Sequence, residues 1–109
     1  MTIQQKGIVV ISTTDTKAEA LSLSHAVVEA KLAACAQISE ITSVYEWESK
    51  IEESPEFLIA FKTVPERSAE LQAFILAKHS YDTPEVIEVP ITAGSDAYLK
   101  WLAANTCRP

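Results

Sequence analysis

The chain has 109 residues, a formal net charge of −6, and 48% hydrophobic against 22% charged residues. That length makes a single domain, positions 1–109, with one modest core, and the balance of apolar to charged residues excludes a disordered chain. The acidic excess disfavours nucleic acid or an anionic membrane surface as a partner, because both need clustered Lys and Arg.

No run approaches the roughly 18 apolar residues of a membrane-spanning helix. The opening stretch Met1–Lys6 carries no apolar leader segment. The two cysteines, Cys35 and Cys107, lie far apart and form no CxxC, zinc-finger or secreted disulfide pattern. These features together point to a cytoplasmic, reducing compartment.

The first predicted element is a strand from Gly7 to Ile11, followed by Ser12-Thr13-Thr14. Its continuous β-branched run suits a central strand buried on both faces. Thr16 and Glu19 then have capping-box spacing, in which the hydroxyl accepts a free helix-start N–H and the carboxylate reaches back to the cap. A helix is predicted to about Leu32, with Leu21, Val28 and Leu32 along one stripe, Ala20, Leu23 and Val27 beside it, and His25 partly buried within the apolar arc.

Ala33–Thr63 reads as one long hairpin. An arm of 14 residues at about 3.3 Å each spans about 46 Å. A globule of this length has a radius of gyration of only about 13 Å. The hairpin therefore projects into solvent or is covered by other subunits. Ile38 and Val44 share one parity, and Ile41, Tyr45 and Trp47 the other, which predicts a bulge near Ser39-Glu40 or burial of both faces. Glu48-Ser49 makes the turn. With no Gly there, a loose turn is expected over a tight one with positive φ. Pro55 marks an edge or a bulge, because proline cannot donate to a ladder. Positions 40 to 56 hold six glutamates against Lys50 alone.

Pro65 suits the first turn of a second helix, with Thr63 three residues before Glu66. Its predicted buried face is Leu71, Phe74, Ile75 and Ala77, and Lys78 and His79 close it at the negative end of its dipole. Val86–Ile91 is a last strand, made an edge or bulged by Pro90. Ser95 caps a final helix with an apolar arc of Tyr98, Leu99, Trp101 and Leu102, and Asn105–Pro109 is expected to fray. The order β-α-β-β-α-β plus a C-terminal helix predicts an α+β, ferredoxin-like sandwich: a four-stranded antiparallel sheet with two helices on one face.

Several segments carry a resemblance: Lys31–Ala36, Thr42-Ser43-Val44-Tyr45-Glu46-Trp47-Glu48, Lys62-Thr63, Tyr81-Asp82-Thr83-Pro84-Glu85-Val86-Ile87 and Tyr98-Leu99-Lys100-Trp101-Leu102. In this order and spacing, over roughly positions 7 to 103, they resemble the CutA family of divalent-cation tolerance proteins. The resemblance implies a very stable homotrimer similar in architecture to PII signalling proteins, in which the extended hairpin strands of one subunit pair with strands of its neighbours. It implies a link to copper and other heavy-metal tolerance, no enzymatic activity and no required cofactor, with weak binding of Cu(II) or another divalent metal. Where the family's first strand can end in a cysteine proposed to bind copper, this chain reads Ser12-Thr13-Thr14. Where the family often has His-His-Pro-Tyr, it reads Lys78-His79-Ser80-Tyr81.

Cys35 and His79 are thus the candidate metal ligands. Packing competes for Cys35, since a free cysteine behaves as a small hydrophobe. A helix-terminal role competes for His79. Ile41, Val44, Tyr45 and Trp47 are candidate subunit-interface residues, the aromatics being of the type enriched at interface cores. Glu52, Lys62, Tyr81 and Glu85 form a candidate inter-subunit cleft, in which a Glu pairs Lys62. No catalytic triad, paired catalytic carboxylates or Gly-rich phosphate loop can be placed, and only two glycines are present. Three functions follow: a non-enzymatic homotrimer of metal tolerance; a PII-like sensor holding a small anionic or zwitterionic ligand between subunits through Lys62 and Tyr81; and a structural trimer that scaffolds a partner protein.

Overall fold

The computed structural model describes residues 5–107. Residues 1–4 and 108–109 lie outside it, and with them most of the Met1–Lys6 stretch and the end of the tail expected to fray. Strand β1 runs Gly7–Thr14 and includes the three hydroxyl residues after the apolar run. It pairs antiparallel with two neighbours, so both of its edges are hydrogen-bonded, and Ser12, Thr13 and Thr14 are buried.

Helix α1 spans Lys17–Glu29, and Thr16 caps it by accepting the Glu19 N–H at 3.1 Å. The other half of the capping box does not form. The Glu19 carboxylate instead accepts two hydrogen bonds from Ser80. The helix stops short of Leu32, with Lys31 turning the chain at φ 59°. Its buried face is Ala20, Leu23, Ser24 and Val27, an i, i+3, i+4, i+7 set. The expected stripe is displaced: Leu21 and Val28 are exposed, and so is His25. Small Ala20 and Ser24 let the helix approach the sheet on their own side.

Strands β2 (Cys35–Trp47) and β3 (Lys50–Thr63) form the long hairpin. Their register is continuous from Cys35 opposite Lys62 to Trp47 opposite Lys50, so the bulge expected at Ser39-Glu40 is absent. The turn is also tighter than expected. Glu48 and Ser49 are its only residues, with φ of 49° and 65°. Two-residue hairpin loops favour positive φ at both centres, because that twist matches the strands. The unbroken ladder imposes it here without a glycine.

Only Phe57–Thr63 of β3 pairs with β1. The rest of the hairpin, beyond Ile41 on one arm and before Phe57 on the other, projects from the body. Pro55 sits there, where β2 is the only partner strand, which meets the edge expectation. The projection gives dimensions of 53 × 27 × 21 Å and a radius of gyration of 15.0 Å. It also leaves Val44, Trp47 and Ile51 exposed by 65%, 62% and 73%.

A short 3-10 turn, Pro65–Arg67, leads into helix α2, Ser68–Lys78. Thr63 does not cap it; its hydroxyl donates to the Leu32 carbonyl at 2.8 Å. Leu71 and Ile75 are buried and Phe74 is partly buried, but Ala77 is exposed. Strand β4, Val86–Ile91, pairs only with β1, an edge place compatible with Pro90. Ser95 caps helix α3, Asp96–Ala104, accepting the Tyr98 N–H at 3.3 Å.

The sheet order is β2-β3-β1-β4, all antiparallel, the ferredoxin-like topology predicted. Helices α1 and α2 cover one face around Val10, Val27, Ile59, Phe61, Leu71 and Ile75. On the opposite face α3 covers only a corner, where Leu99 and Leu102 pack with Val64 and Ile91. Gly7 belongs to that corner. A Cβ there would stand 3.1–3.2 Å from Leu99, Ile91 and Leu102. Asn105–Cys107 is not frayed: Thr106 is buried, and its carbonyl accepts the Arg67 Nε–H at 3.0 Å. The remainder of the face is open, with Ile87 and Val89 among its exposed residues.

Candidate functional site

A concavity of about 680 Å³ lies on the open side of the sheet where the hairpin leaves the body. One wall comes from the hairpin. Ser43, Tyr45 and Trp47 alternate along β2, so their side chains share a face, and the register puts Glu56 on it too, opposite Ile41. Thr13 lies at the end of β1. The other wall is the loop after α2, with Tyr81, Asp82, Thr83 and Glu85.

Hydrogen bonds fix that loop to the body. Ser80 donates to the Glu19 carboxylate from its N–H at 3.1 Å and its hydroxyl at 2.9 Å. The His79 side chain is completely buried. Its Nδ1 accepts the Tyr81 N–H at 3.0 Å, so the proton is on Nε2, which donates to the Thr13 carbonyl at 2.7 Å. Glu19 Oε2 lies 3.8 Å from Nδ1. The His79 and Tyr81 rings meet at 4.8 Å, tilted by 47°.

Tyr81 closes the cleft by donating its hydroxyl to Glu56 Oε2 at 3.0 Å. Burial, the hydrogen bond to Glu56, and the negative charges of Glu56, Asp15 and Glu19 hold its phenol well above the usual tyrosine range. Tyr81 therefore stays a neutral donor at any physiological pH. On the opposite wall Tyr45 and Ser54 share a hydrogen bond of 3.3 Å between hydroxyls. The lining carries three carboxylates, Glu56, Asp82 and Glu85, and no Lys, Arg or His among the described residues.

The structure divides the residues singled out from sequence. Tyr81 and Glu85 line the cleft together with Val44, Tyr45 and Trp47. Ile41 and Glu52 flank it, directly across the ladder from Glu56 and Tyr45. Lys62 is elsewhere. It stands six residues beyond Glu56 on β3, about 20 Å along the strand. Its ammonium lies 5.8 Å from the centre of the Tyr98 ring, a cation–π contact in place of the expected Glu pair.

Cys35 and His79 do not converge. Cys35 pairs with Lys62, whose other neighbour is Val9, whereas His79 bonds to Thr13, four residues further along β1. That offset is about 13 Å. Both nitrogens of His79 are committed within the protein, and Cys35 is a half-buried free thiol. No three His, Cys, Asp or Glu side chains among the described residues gather into a ligand set. The donors of one chain do not fit a copper centre. Thr13, Ser43, Glu56, Asp82 and Thr83 were missed from sequence; the hairpin register alone would have placed Glu56 opposite Ile41, on the face that carries Tyr45 and Trp47.

The family profile described as CutA1 divalent ion tolerance protein matches residues 8–105. The chain is 44% identical over 101 residues to "Protein CutA, chloroplastic" of Arabidopsis thaliana, covering 92% of this chain and 56% of that protein. It is 36% identical over 99 residues to "Divalent-cation tolerance protein CutA" of Thermus thermophilus, covering 90% and 96%. The structure of CutA from Synechococcus elongatus superposes with a TM-score of 0.92 at 35% identity, over 96% of this chain and 95% of that one. The chain spans about half the length of several curated relatives, such as those of Arabidopsis thaliana and Mus musculus, at 56% and 48%. On this match, by profile, sequence and fold together, the chain belongs to the CutA1 family of divalent ion tolerance proteins.

Proposed function

We propose that this protein acts in divalent-cation tolerance as a cytoplasmic homotrimer and catalyses no reaction. The observation that carries the reading is the projecting half of the hairpin. It exposes Val44, Tyr45, Trp47 and Ile51, from both faces of a two-stranded ribbon. A two-stranded ribbon is marginal in water by itself. Ile87 and Val89 add exposed apolar surface on the open sheet face, and β2 and β4 offer two unpaired edges. Second and third copies of the chain would cover these surfaces, with Ile41, Val44, Tyr45 and Trp47 in the contact.

The absence of catalysis in this reading is supported by His79, a buried imidazole with both nitrogens engaged. Two free cysteines support a reducing compartment, and no helix among the described residues is long and apolar enough to cross a membrane. The tolerance role does not run through a Cys35–His79 copper centre within one chain. Sedimentation equilibrium tests the assembly, and Cu(II) calorimetry on Cys35→Ser tests the metal reading, with unchanged affinity expected.

A second reading, a PII-like sensor with a small molecule between subunits, is favoured by the cleft itself, whose volume lies within the range of ligand pockets.

A further inference from the structure

We propose that His79 is a proton-operated latch, whose protonation releases the first residues of the loop after α2 from the body of the domain. Histidine is the side chain whose charge ordinarily changes between roughly pH 5 and 8. A neutral imidazole accepts at one nitrogen and donates at the other, and protonation makes both nitrogens donors. In His79 the neutral form is fully used: Nδ1 accepts the Tyr81 N–H at 3.0 Å and Nε2 donates to the Thr13 carbonyl at 2.7 Å. The bond to Thr13 survives protonation. Two N–H groups cannot face each other at Nδ1, so the Tyr81 amide must leave.

The replacement acceptor already stands beside the ring. Glu19 Oε2 is 3.8 Å from Nδ1, and the His79 side chain is completely buried, so a new charge there needs a partner. Drawn onto Nδ1, the carboxylate makes a charge-assisted bond. Oε2 is also the atom that accepts the Ser80 N–H at 3.1 Å, so that bond is given up together with the Tyr81 bond. The loop then hangs on two side-chain bonds, Ser80 Oγ to Glu19 Oε1 and the Tyr81 hydroxyl to Glu56 Oε2. The cleft wall of Tyr81, Asp82, Thr83 and Glu85 loosens with it. The surrounding charges are mostly negative. Glu19 on α1, Asp15 just before that helix and Glu56 on β3 act on Tyr81, whose ring meets that of His79 at 4.8 Å. The opposing cation is Lys78, which shares a shallow hollow with Glu19 and whose ammonium lies 5.5 Å from the centre of the Phe74 ring. From β1 the group facing His79 is the uncharged Thr13 carbonyl.

The test is nitrogen and amide NMR of the full chain from about pH 8 to about pH 4.5, with tryptophan fluorescence reporting that the fold is intact. Of the two histidines, His25 is exposed, so His25→Gln leaves His79 as the single imidazole. The His79 ring should pass from the Nε2–H tautomer to imidazolium in one step. The Ser80 and Tyr81 amides should shift in that same step and lose roughly tenfold or more of their protection from hydrogen exchange. Glu19→Gln, which keeps an acceptor for the Ser80 hydroxyl but removes the charge, should move the step to lower pH. An imidazolium formed while both amides stay unmoved would overturn the inference. So would a step that ignores Glu19→Gln, a ring that stays neutral to the end of the titration, or a chain that unfolds before the ring is protonated.

Discussion

Tyr81 donates its hydroxyl to Glu56 Oε2 at 3.0 Å, tying the loop after α2 to the point where the hairpin leaves the body. Tyr81→Phe removes this bond and leaves a partly buried carboxylate without its donor. A hydrogen bond to a charged group contributes about 1.5–3 kcal/mol, and partial exposure of Glu56 puts the loss near the lower end. The urea midpoint should fall with the slope unchanged.

The same contact sets an alkaline limit. The folded chain holds the Tyr81 proton above the usual tyrosine pKa of about 10, whereas the unfolded chain releases it there. Above that pH the unfolded state binds fewer protons, so stability falls as pH rises. Below it the contribution is fully present. Urea midpoints from neutral pH to pH 11 should show this decline in the parent chain, and a shallower one in Tyr81→Phe.

The turn at Glu48-Ser49 holds both residues at positive φ, which disfavours ordinary side chains by about 1–2 kcal/mol each. Glu48→Asn with Ser49→Gly supplies residues that reach this region readily. The pair should raise stability by about 1 kcal/mol, after the extra entropy that glycine loses on folding. Denaturant melts would read the gain, and an unchanged or lowered midpoint would contradict the imposed geometry.

His79→Ala empties a fully buried site and strands the Thr13 carbonyl and the Tyr81 N–H. The expected loss is about 3 kcal/mol from cavity and unpaired groups. Hydrogen exchange at Tyr81 should quicken, because its amide loses its acceptor. Copper affinity should not change, since neither nitrogen is free in the parent chain. A copper site lost with His79 while the fold survives would contradict this account.

Element order and sheet face were legible because the chain's periodicities are strong and local. β1 announces itself by Ile8–Ile11, and the caps Thr16 and Ser95 are where spacing puts them. What failed depended on competition from afar. The Glu19 carboxylate was assigned to its own helix start, but Ser80, 61 positions on, offers two donors. Thr63 looks like a cap, yet the Leu32 carbonyl takes its hydroxyl. The α1 stripe was displaced because large Leu21 and Val28 outweighed small Ala20 and Ser24 in the pattern, whereas close helix–sheet approach favours the small residues. In the site, Tyr81 and Glu85 were grouped from sequence and line one cleft, where Tyr45 and Trp47, read from residue type as subunit-contact residues, also stand. Glu56 was lost within a run of surface acids, because its place follows from a register that only the tight turn defines. Lys62 and Cys35 were grouped with distant residues because sequence order does not show how far along a strand each one stands.

In the proposed trimer, copies of the same chain cover the exposed hairpin and the open sheet face. Sedimentation equilibrium at micromolar concentration measures this most directly. The expected result is a species of three times the 11.9 kDa chain mass, and a Trp47→Ala variant that dissociates at higher concentration than the parent. A single-chain mass at that concentration, with the denaturation midpoint independent of protein concentration, would contradict it.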